Sequence, residues 1–333
     1  MSAAVRPARR NAGSGPANYR GANLRSCPLT RAAAGQTLVC MAVPLFPIIR
    51  WRLIAAVLAV SGTLWTADNE HPKADKAGGA KTGDKSSGNY NIPLWAEGKV
   101  PLALGNGPLD SPFLTVFLPP EGKRNGGSVI VAPGGSNIML MYGVEGLDVA
   151  ERYNSWGVTA FVLTYRLSPR YGENVRVMEG KRAVQLVRSR AGEFKLDPNR
   201  VGYIGFSAGS NTARSVVGTS GPGDPNAADP IDRLSSRPDY LVLVYGVGRA
   251  SPGESLKSFP PVFLVSAAAD TGPALGNAQL FMDLTRAGAT AEIHVYQKGR
   301  HGFGSGFGSP EFSDWMGRLE LFLKLDGFLP GGN

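Results

Sequence analysis

Cysteine is scarce in this chain of 333 residues, with two copies, Cys27 and Cys40, that both precede Met41. A chain that starts at Met41 would therefore contain no thiol at all. For such a chain a disulfide framework, a cysteine nucleophile and a cysteine-ligated metal site are excluded. A core of roughly 240 residues buries enough surface to fold without cross-links.

Histidine is also rare, with three copies in the whole chain. His71 lies in a polar stretch of low complexity, and His294 lies inside a predicted strand between Ile293 and Val295. So few histidines argue against a histidine-ligated metal site, and we expect no metal and no other cofactor. His301 lies in a glycine-flanked loop and is the candidate for acid–base chemistry near neutral pH. The alternative for His301 is an ordinary surface histidine.

Acidic residues and lysine are absent from residues 1–67, which contain eight arginines. These arginines supply eight of the formal net charge of +9, so the remainder of the chain is close to neutral. A nucleic-acid-binding surface requires clustered lysine and arginine on the folded domain. The charge distribution therefore predicts no nucleic-acid partner.

Residues 41–67 have the organisation of a signal peptide. A basic flank with Arg50 and Arg52 precedes a mostly apolar stretch at residues 53–64. Such a stretch suits an export signal and is well short of the ~20 apolar residues of a membrane-spanning helix. We expect an exported protein, periplasmic or secreted, with no membrane partner beyond the signal; an uncleaved anchor is the alternative. Residues 1–40 are then an upstream extension, disordered or produced by a misassigned start.

The remaining chain divides into a linker and one folded domain. Residues 68–89 form a low-complexity linker with four acidic residues and four lysines, and the folded domain covers residues 90–333. Apolar strands alternate there with helical patterns, which predicts an α/β fold with a mostly parallel sheet covered by helices on both faces. The predicted strands are residues 114–117, 129–131, 159–163, 201–204, 241–245, 262–265 and 292–296. A helix is predicted near residues 146–153, stopped by Gly157.

The sequence GFSAG at residues 205–209 follows one of these apolar strands and precedes a helix-compatible segment. A G-x-S-x-G motif in this setting predicts a sharp strand–turn–helix elbow that exposes the serine hydroxyl. The flanking glycines leave room where a β-carbon would not fit. The free N–H groups at the start of the following helix favour negative charge near Ser207.

Asp270 and His301 each follow a later predicted strand, at residues 262–265 and 292–296. Ligand sites in open α/β sheets lie at the carboxyl ends of the strands. The order serine, acid, histidine suggests that Ser207 is a nucleophile, that His301 takes its proton, and that Asp270 orients the imidazole. A helix N-cap is the alternative role of Asp270.

A glycine-rich loop, APGGSN at residues 132–137, follows the apolar run at residues 128–131. This position predicts donors for an oxyanion, with Ala208 giving one N–H group and Gly135 and Ser136 giving the others. An ordinary Pro-Gly-Gly turn is the alternative. The expected substrate contacts are Gly134, Asn137 and Asn211.

Five segments carry a family resemblance: APGG at 132–135, TYRL at 164–167, DPNRVGYIGFSAG at 197–209, EIHVY at 292–296 and HGFG at 301–304. With them, the chain from about residue 91 to residue 329 resembles the α/β-hydrolase superfamily. It resembles most the acetyl-xylan esterases and the feruloyl-esterase-like (BD-FAE) branch of exported esterases. Two departures concern the acyl pocket: Ser136 stands where many relatives have glycine, and Ser210 and Asn211 stand where many have glycine and histidine.

The resemblance implies that residues 90–333 form an α/β-hydrolase catalytic domain. It further implies a secreted serine carboxylic-ester hydrolase without a cofactor, acting on a small acyl ester or an acylated carbohydrate. Removal of short acyl groups, acetyl above all, from polysaccharide is the expected reaction. Two alternatives remain: a prolyl-oligopeptidase-like serine peptidase, which usually carries a large N-terminal gating domain, and a non-catalytic binding protein, in which a triad residue is usually lost.

Overall fold

The computed structural model describes residues 90–247 and 254–331. The expected upstream extension at residues 1–40, the signal peptide at residues 41–67 and the linker at residues 68–89 lie outside the described residues. The first described strand starts at Tyr90, the first residue of the expected folded domain.

Eight strands form one sheet in the order β1-β2-β4-β3-β5-β6-β7-β8. The strands are β1 (Tyr90–Pro93), β2 (Phe113–Phe117), β3 (Ser128–Ala132), β4 (Thr159–Thr164), β5 (Val201–Phe206), β6 (Tyr240–Val244), β7 (Val262–Ala267) and β8 (Ala291–Tyr296). Strand β2 runs antiparallel to β1 and β4, whereas all pairs from β4 to β8 are parallel. The predicted mostly parallel sheet is confirmed.

Helices cover both faces of the sheet, as predicted. They are α1 (Asp148–Ser155), α2 (Glu173–Ser189), α3 (Ala191–Phe194), α4 (Ala208–Gly218), α5 (Thr271–Ala287) and α6 (Trp315–Leu325). Buried side chains of α2, α3, α4 and α5 pack on one face, and those of α1 and α6 pack on the other. Strand β5 serves both cores, because Tyr203 points to the first face while Ile204 and Phe206 point to the second, the alternation that a buried strand requires.

The segment before α1 differs from the prediction. The apolar pattern predicts a helix from about Gly146, whereas the structure has a π-helical turn over Gly143–Leu147 that leads directly into α1. Gly157 follows α1 with a φ of +82°, and a β-carbon there would lie 2.2 Å from the carbonyl oxygen of Lys123. Gly157, the residue predicted to end the helix, is therefore also in close contact with the backbone of Lys123, and a larger residue would disrupt this contact.

The carboxyl ends of β3, β5, β7 and β8 lie at the same edge of the sheet. The segments that leave these four strands carry Gly134, Ser207, Asp270 and His301 respectively. Within the two described ranges, no helix is both long enough and apolar enough to cross a membrane. The parallel part of the sheet thus brings the predicted site residues to one edge.

Candidate active site

Ser207 lies on a sharp turn between β5 and α4, as the motif predicts. Its φ of 50° and ψ of −116° place it in a region that non-glycine residues rarely adopt, at an energetic cost of order 1–3 kcal/mol. The backbone N–H of Ser207 donates to the carbonyl oxygen of Val244 at 2.9 Å, which ties the turn to β6. The turn is held in its strained shape by the neighbouring strand.

Both glycines of the motif lie in close contact with backbone atoms. A β-carbon on Gly205 would lie 2.4 Å from the carbonyl oxygen of Gly209. A β-carbon on Gly209 would lie 2.2 Å from the carbonyl oxygen of Ala132 at the end of β3. Both approaches involve backbone atoms that cannot rotate away, so the turn requires glycine at both positions.

The structure brings Ser207, His301 and Asp270 into one hydrogen-bonded chain. The Ser207 Oγ lies 2.7 Å from His301 Nε2, and His301 Nδ1 lies 2.5 Å from Asp270 Oδ2. Asp270 also occupies the N-cap position of α5, but its carboxylate makes no capping hydrogen bond. Its side chain is therefore directed to the imidazole rather than to the helix.

Aromatic packing holds the loop that carries His301. The imidazole lies with its centroid 4.8 Å from the ring centroid of Tyr245. Two residues later, Phe303 packs edge-on against Tyr245 at 4.6 Å and stacks on Phe312 at 4.0 Å. These contacts hold the imidazole and the segment that follows it.

The loop after β3 has the conformation of a tight turn with three successive residues at positive φ. Gly135, Ser136 and Asn137 have φ values of 127°, 56° and 61°. The β-carbon that Gly135 lacks would lie 2.4 Å from the carbonyl oxygen of Met139. Across the site, Ala208 is the first residue of α4, where N–H groups have no acceptor within the helix. The N–H groups of Ala208, Gly135 and Ser136 therefore remain the predicted oxyanion donors, on the basis of their positions in these two segments.

The three predicted substrate contacts differ in what they can offer. The Gly134 N–H donates to Glu145 Oε2 at 2.6 Å and its carbonyl accepts from the Met141 N–H at 2.9 Å, so both backbone groups are already bonded. Asn137 has a buried Oδ1 without a hydrogen-bond partner among the described residues. Asn211 is exposed, and its Oδ1 accepts from the Val247 N–H at 2.9 Å.

The other described histidine lies apart from this chain of residues. His294 is on β8, where its Nε2 lies 2.6 Å from Glu292 Oε1 and its ring packs 5.2 Å from Phe263. Over the part of the chain that the structure describes, no group of three or more His, Cys, Asp or Glu side chains could hold a metal ion.

No family model matches the chain. In sequence it is 28% identical over 225 residues to an acetylxylan esterase of Xylanibacter ruminicola, a match that covers 58% of this chain and 44% of that one. The chain thus spans less than half of that relative's length. A solved structure, the acetyl ester-xyloside bifunctional hydrolase from Caldicellulosiruptor lactoaceticus, matches with a TM-score of 0.67 and 30% identity, covering 72% of this chain and 97% of the other.

The chain belongs to the acetyl-xylan esterase branch of the α/β-hydrolases. The esterase Est2 of Thermogutta terrifontis has the same fold, with a TM-score of 0.60 over 74% of this chain and 95% of that one. At 20% identity, this second likeness concerns the fold alone.

In this α/β-hydrolase, two residues beside the predicted triad were not predicted from the sequence. Glu145 is 2% exposed, and its Oε1 accepts a hydrogen bond from the Tyr245 hydroxyl at 2.7 Å. That hydroxyl also accepts from the Gly304 N–H at 3.0 Å. The available signals were a single acid within an apolar, glycine-containing stretch and a tyrosine as the last residue of the predicted strand at residues 241–245.

Burial dominates the electrostatics of this pair in the hydrolase. It raises the pKa of the Glu145 carboxyl, while the hydrogen bonds from Tyr245 and Gly134 and the charge of His301 act in the opposite direction. Burial also raises the pKa of the Tyr245 hydroxyl, and the neighbouring Glu145 adds to that increase. Tyr245 is therefore a neutral hydrogen-bond donor at physiological pH.

Proposed function

We propose that this protein is a serine carboxylic-ester hydrolase that removes short acyl groups, acetyl above all, from polysaccharide of the xylan type. The observation that carries the proposal is the continuous chain of hydrogen bonds from Ser207 through His301 to Asp270. The sequence relative named as an acetylxylan esterase and the structural relative named as an acetyl ester-xyloside hydrolase support the substrate class.

Acylation would start with attack of the Ser207 Oγ on the ester carbonyl carbon. His301 Nε2 takes the hydroxyl proton during the attack, because a serine hydroxyl is a weak nucleophile without a base. Asp270 holds the imidazole in the tautomer that leaves Nε2 free to accept, and stabilises the imidazolium that forms. The carbonyl oxygen then carries negative charge, and the N–H groups of Ala208, Gly135 and Ser136 are the proposed donors to it.

Collapse of this intermediate breaks the bond between the acyl carbon and the sugar oxygen. His301 returns its proton to that oxygen, so the sugar leaves as an alcohol and the acyl group remains on Ser207. A water molecule then attacks the acyl carbon while His301 takes one of its protons. The proton passes to the Ser207 Oγ as the acyl–oxygen bond breaks, which releases the carboxylic acid and restores the enzyme.

Replacement of Ser207 by alanine tests the proposal. We expect wild-type protein to hydrolyse p-nitrophenyl acetate and to release acetate from acetylated xylan, and Ser207→Ala to lose at least about 10⁴-fold in kcat because no acyl-enzyme can form. A matched control is Ser215→Ala on the same helix, whose hydroxyl donates to Glu173; it should retain wild-type kcat. The rate of p-nitrophenol release at saturating substrate provides the measurement.

The same assay separates the rival functions. Cleavage of an aminoacyl-p-nitroanilide without any ester hydrolysis would favour a peptidase. No hydrolysis of either substrate by wild-type protein would favour a binding protein. Ester hydrolysis that survives in Ser207→Ala would remove the nucleophile assignment.

We also propose that the protein is exported. The support is the sequence alone: the basic flank at Arg50 and Arg52, the apolar stretch at residues 53–64, and the absence of cysteine after Cys40. Expression of the full chain in a bacterial host should give a mature protein outside the cytoplasm with a new N-terminus between residues 60 and 70. N-terminal sequencing of the periplasmic or culture fraction measures this, and retention of the intact chain in the cytoplasm would contradict it.

A further inference from the structure

Glu145 lies between the two loops that flank Ser207. It belongs to the π-helical turn Gly143–Leu147, an irregular element that is frequent at functional sites. Its carboxyl group is buried at 2% exposure, and its hydrogen bonds within the described part of the chain come from the Gly134 N–H and the Tyr245 hydroxyl rather than from a cation. A buried carboxyl group of this kind costs free energy unless its hydrogen bonds compensate for lost hydration.

Each carboxylate oxygen binds a different loop. Oε2 accepts from the Gly134 N–H at 2.6 Å, in the glycine-rich loop at residues 132–137 that we call the oxyanion loop. Oε1 accepts from the Tyr245 hydroxyl at 2.7 Å. The loop after β8 that carries His301 is called the histidine loop. The Tyr245 oxygen in turn accepts from the Gly304 N–H of the histidine loop at 3.0 Å. One hydrogen-bonded network therefore joins the loop after β3 to the loop after β8.

Both ends of this network lie next to the reacting groups. A β-carbon on Gly134 would lie 2.8 Å from the Ser207 Cβ, so this glycine is in direct contact with the nucleophile. At the other end, Gly304 lies three residues after His301, and the Tyr245 ring packs 4.8 Å from the imidazole. The same turn also binds the histidine loop through its backbone, since the Ser305 N–H donates to the Val144 carbonyl at 3.3 Å.

We propose that Glu145 is a positioning residue that fixes the oxyanion loop and the histidine loop relative to Ser207, acting through Gly134 and through Tyr245. The proposal rests on the esterase function proposed above and adds a residue outside the predicted triad. Glu145 itself contacts neither the nucleophile nor the imidazole by a hydrogen bond; it sets the distance between the groups that do.

Catalysis is sensitive to such positioning. A displacement of about 1 Å in a catalytic group can cost about 100-fold in rate, and oxyanion donors act only when they are already in place as charge develops. A role in the chemical step rather than in substrate binding therefore lowers kcat and leaves KM nearly unchanged. A purely structural role would instead reduce the fraction of folded protein.

The main test is Glu145→Gln, which keeps the side-chain volume and one accepting oxygen. If that oxygen keeps the Gly134 N–H, the amide nitrogen faces the Tyr245 hydroxyl, which must then reverse its hydrogen bond. We expect kcat for p-nitrophenyl acetate to fall by about 10- to 100-fold with KM within about two-fold. The rate is expressed per active site, counted by stoichiometric reaction with a p-nitrophenyl phosphonate, so that misfolded protein does not enter the comparison.

Tyr245→Phe tests the second step of the network, and Tyr203→Phe is its matched control. Tyr203 is a buried tyrosine on β5 whose hydroxyl has no hydrogen-bond partner among the described residues. Tyr245→Phe should lower kcat per active site by about 10-fold, whereas Tyr203→Phe should not change it. In the double variant of Glu145→Gln and Tyr245→Phe, the loss should be smaller than the product of the single losses, because both act on one network.

Thermal stability across pH reports on the burial of the Glu145 carboxyl group and is read separately from its effect on kcat. Burial places the folded-state pKa of Glu145 above its unfolded value, so the carboxyl group favours the folded state less as pH rises through the folded pKa. Glutamine does not titrate, and the Tm of Glu145→Gln minus that of wild type should become more positive from pH 4 to pH 7. The ionisable neighbours Tyr165, Tyr245 and His301 are present in both proteins.

These measurements decide between the outcomes. A lower kcat per active site with unchanged KM supports the positioning role. Wild-type kcat per active site in Glu145→Gln, with only the number of active sites reduced, overturns it while leaving the esterase function intact. If wild-type protein neither turns over the ester nor reacts with the phosphonate, the esterase function fails and this inference fails with it.

Discussion

Asp270→Asn should lower kcat by about 10³- to 10⁴-fold, with a much smaller change in KM. In the structure Asp270 Oδ2 lies 2.5 Å from His301 Nδ1. The carboxylate can only accept a hydrogen bond, so it favours the tautomer with the proton on Nδ1. An asparagine can instead present its NH₂ group to Nδ1, which favours the tautomer with the proton on Nε2. That tautomer cannot take the hydroxyl proton of Ser207, 2.7 Å away. Steady-state kinetics with p-nitrophenyl acetate measure the loss.

Asp283→Asn provides the control for this experiment. Asp283 lies on the same helix, α5, and pairs with Gln279 and Arg286 rather than with histidine. It should keep wild-type kcat. Retention of more than a tenth of wild-type kcat in Asp270→Asn would show that another group orients the imidazole.

Gly209→Ala should damage both activity and stability. The new β-carbon would lie 2.2 Å from the Ala132 carbonyl oxygen and 2.6 Å from that of Pro133. Either α4 or the oxyanion loop must move, and each carries predicted oxyanion donors. We expect kcat/KM to fall by at least about 100-fold and the free energy of unfolding to fall by about 1–3 kcal/mol. Ester hydrolysis and urea denaturation measure the two effects.

Gly317→Ala is the matched control because it introduces the same methyl group in another helix. Gly317 is an exposed position in α6, and a β-carbon there would meet no atom within 4 Å. Alanine should stabilise the helix by about 0.5–1 kcal/mol and leave activity unchanged. Wild-type activity and stability in Gly209→Ala would mean that α4 and the end of β3 do not pack as closely as the structure indicates.

The central strands could be predicted because their apolar runs are long and uninterrupted. Strand β1 could not, since Tyr90–Pro93 is a short edge strand with Asn91 and Pro93 on its exposed side. Its pairing is antiparallel to β2, and edge pairing of this kind depends on a partner elsewhere in the chain rather than on local pattern. The same limit explains the start of α1, where a π-helical turn replaces the predicted helical residues.

The predicted triad residues could be located from sequence because each follows a recognisable strand. Glu145 and Tyr245 could not, because they are one hundred positions apart in the chain and meet only after the sheet has formed. Gly134 was predicted to contact substrate, but its N–H donates to Glu145. Whether a backbone N–H of this loop is free to bind substrate depends on such distant partners, and the local sequence does not contain that information.

At Ser207 the shape of the turn and the reactivity of the side chain depend on different groups. Its φ of 50° is imposed by close contacts of Gly205 and Gly209 and by the bond to Val244, none of which involves the hydroxyl group. Replacement of Ser207 would thus remove the proposed nucleophile while leaving the backbone contacts of the turn in place. A variant without the hydroxyl group would still require glycine at positions 205 and 209, because these glycines serve the shape of the turn.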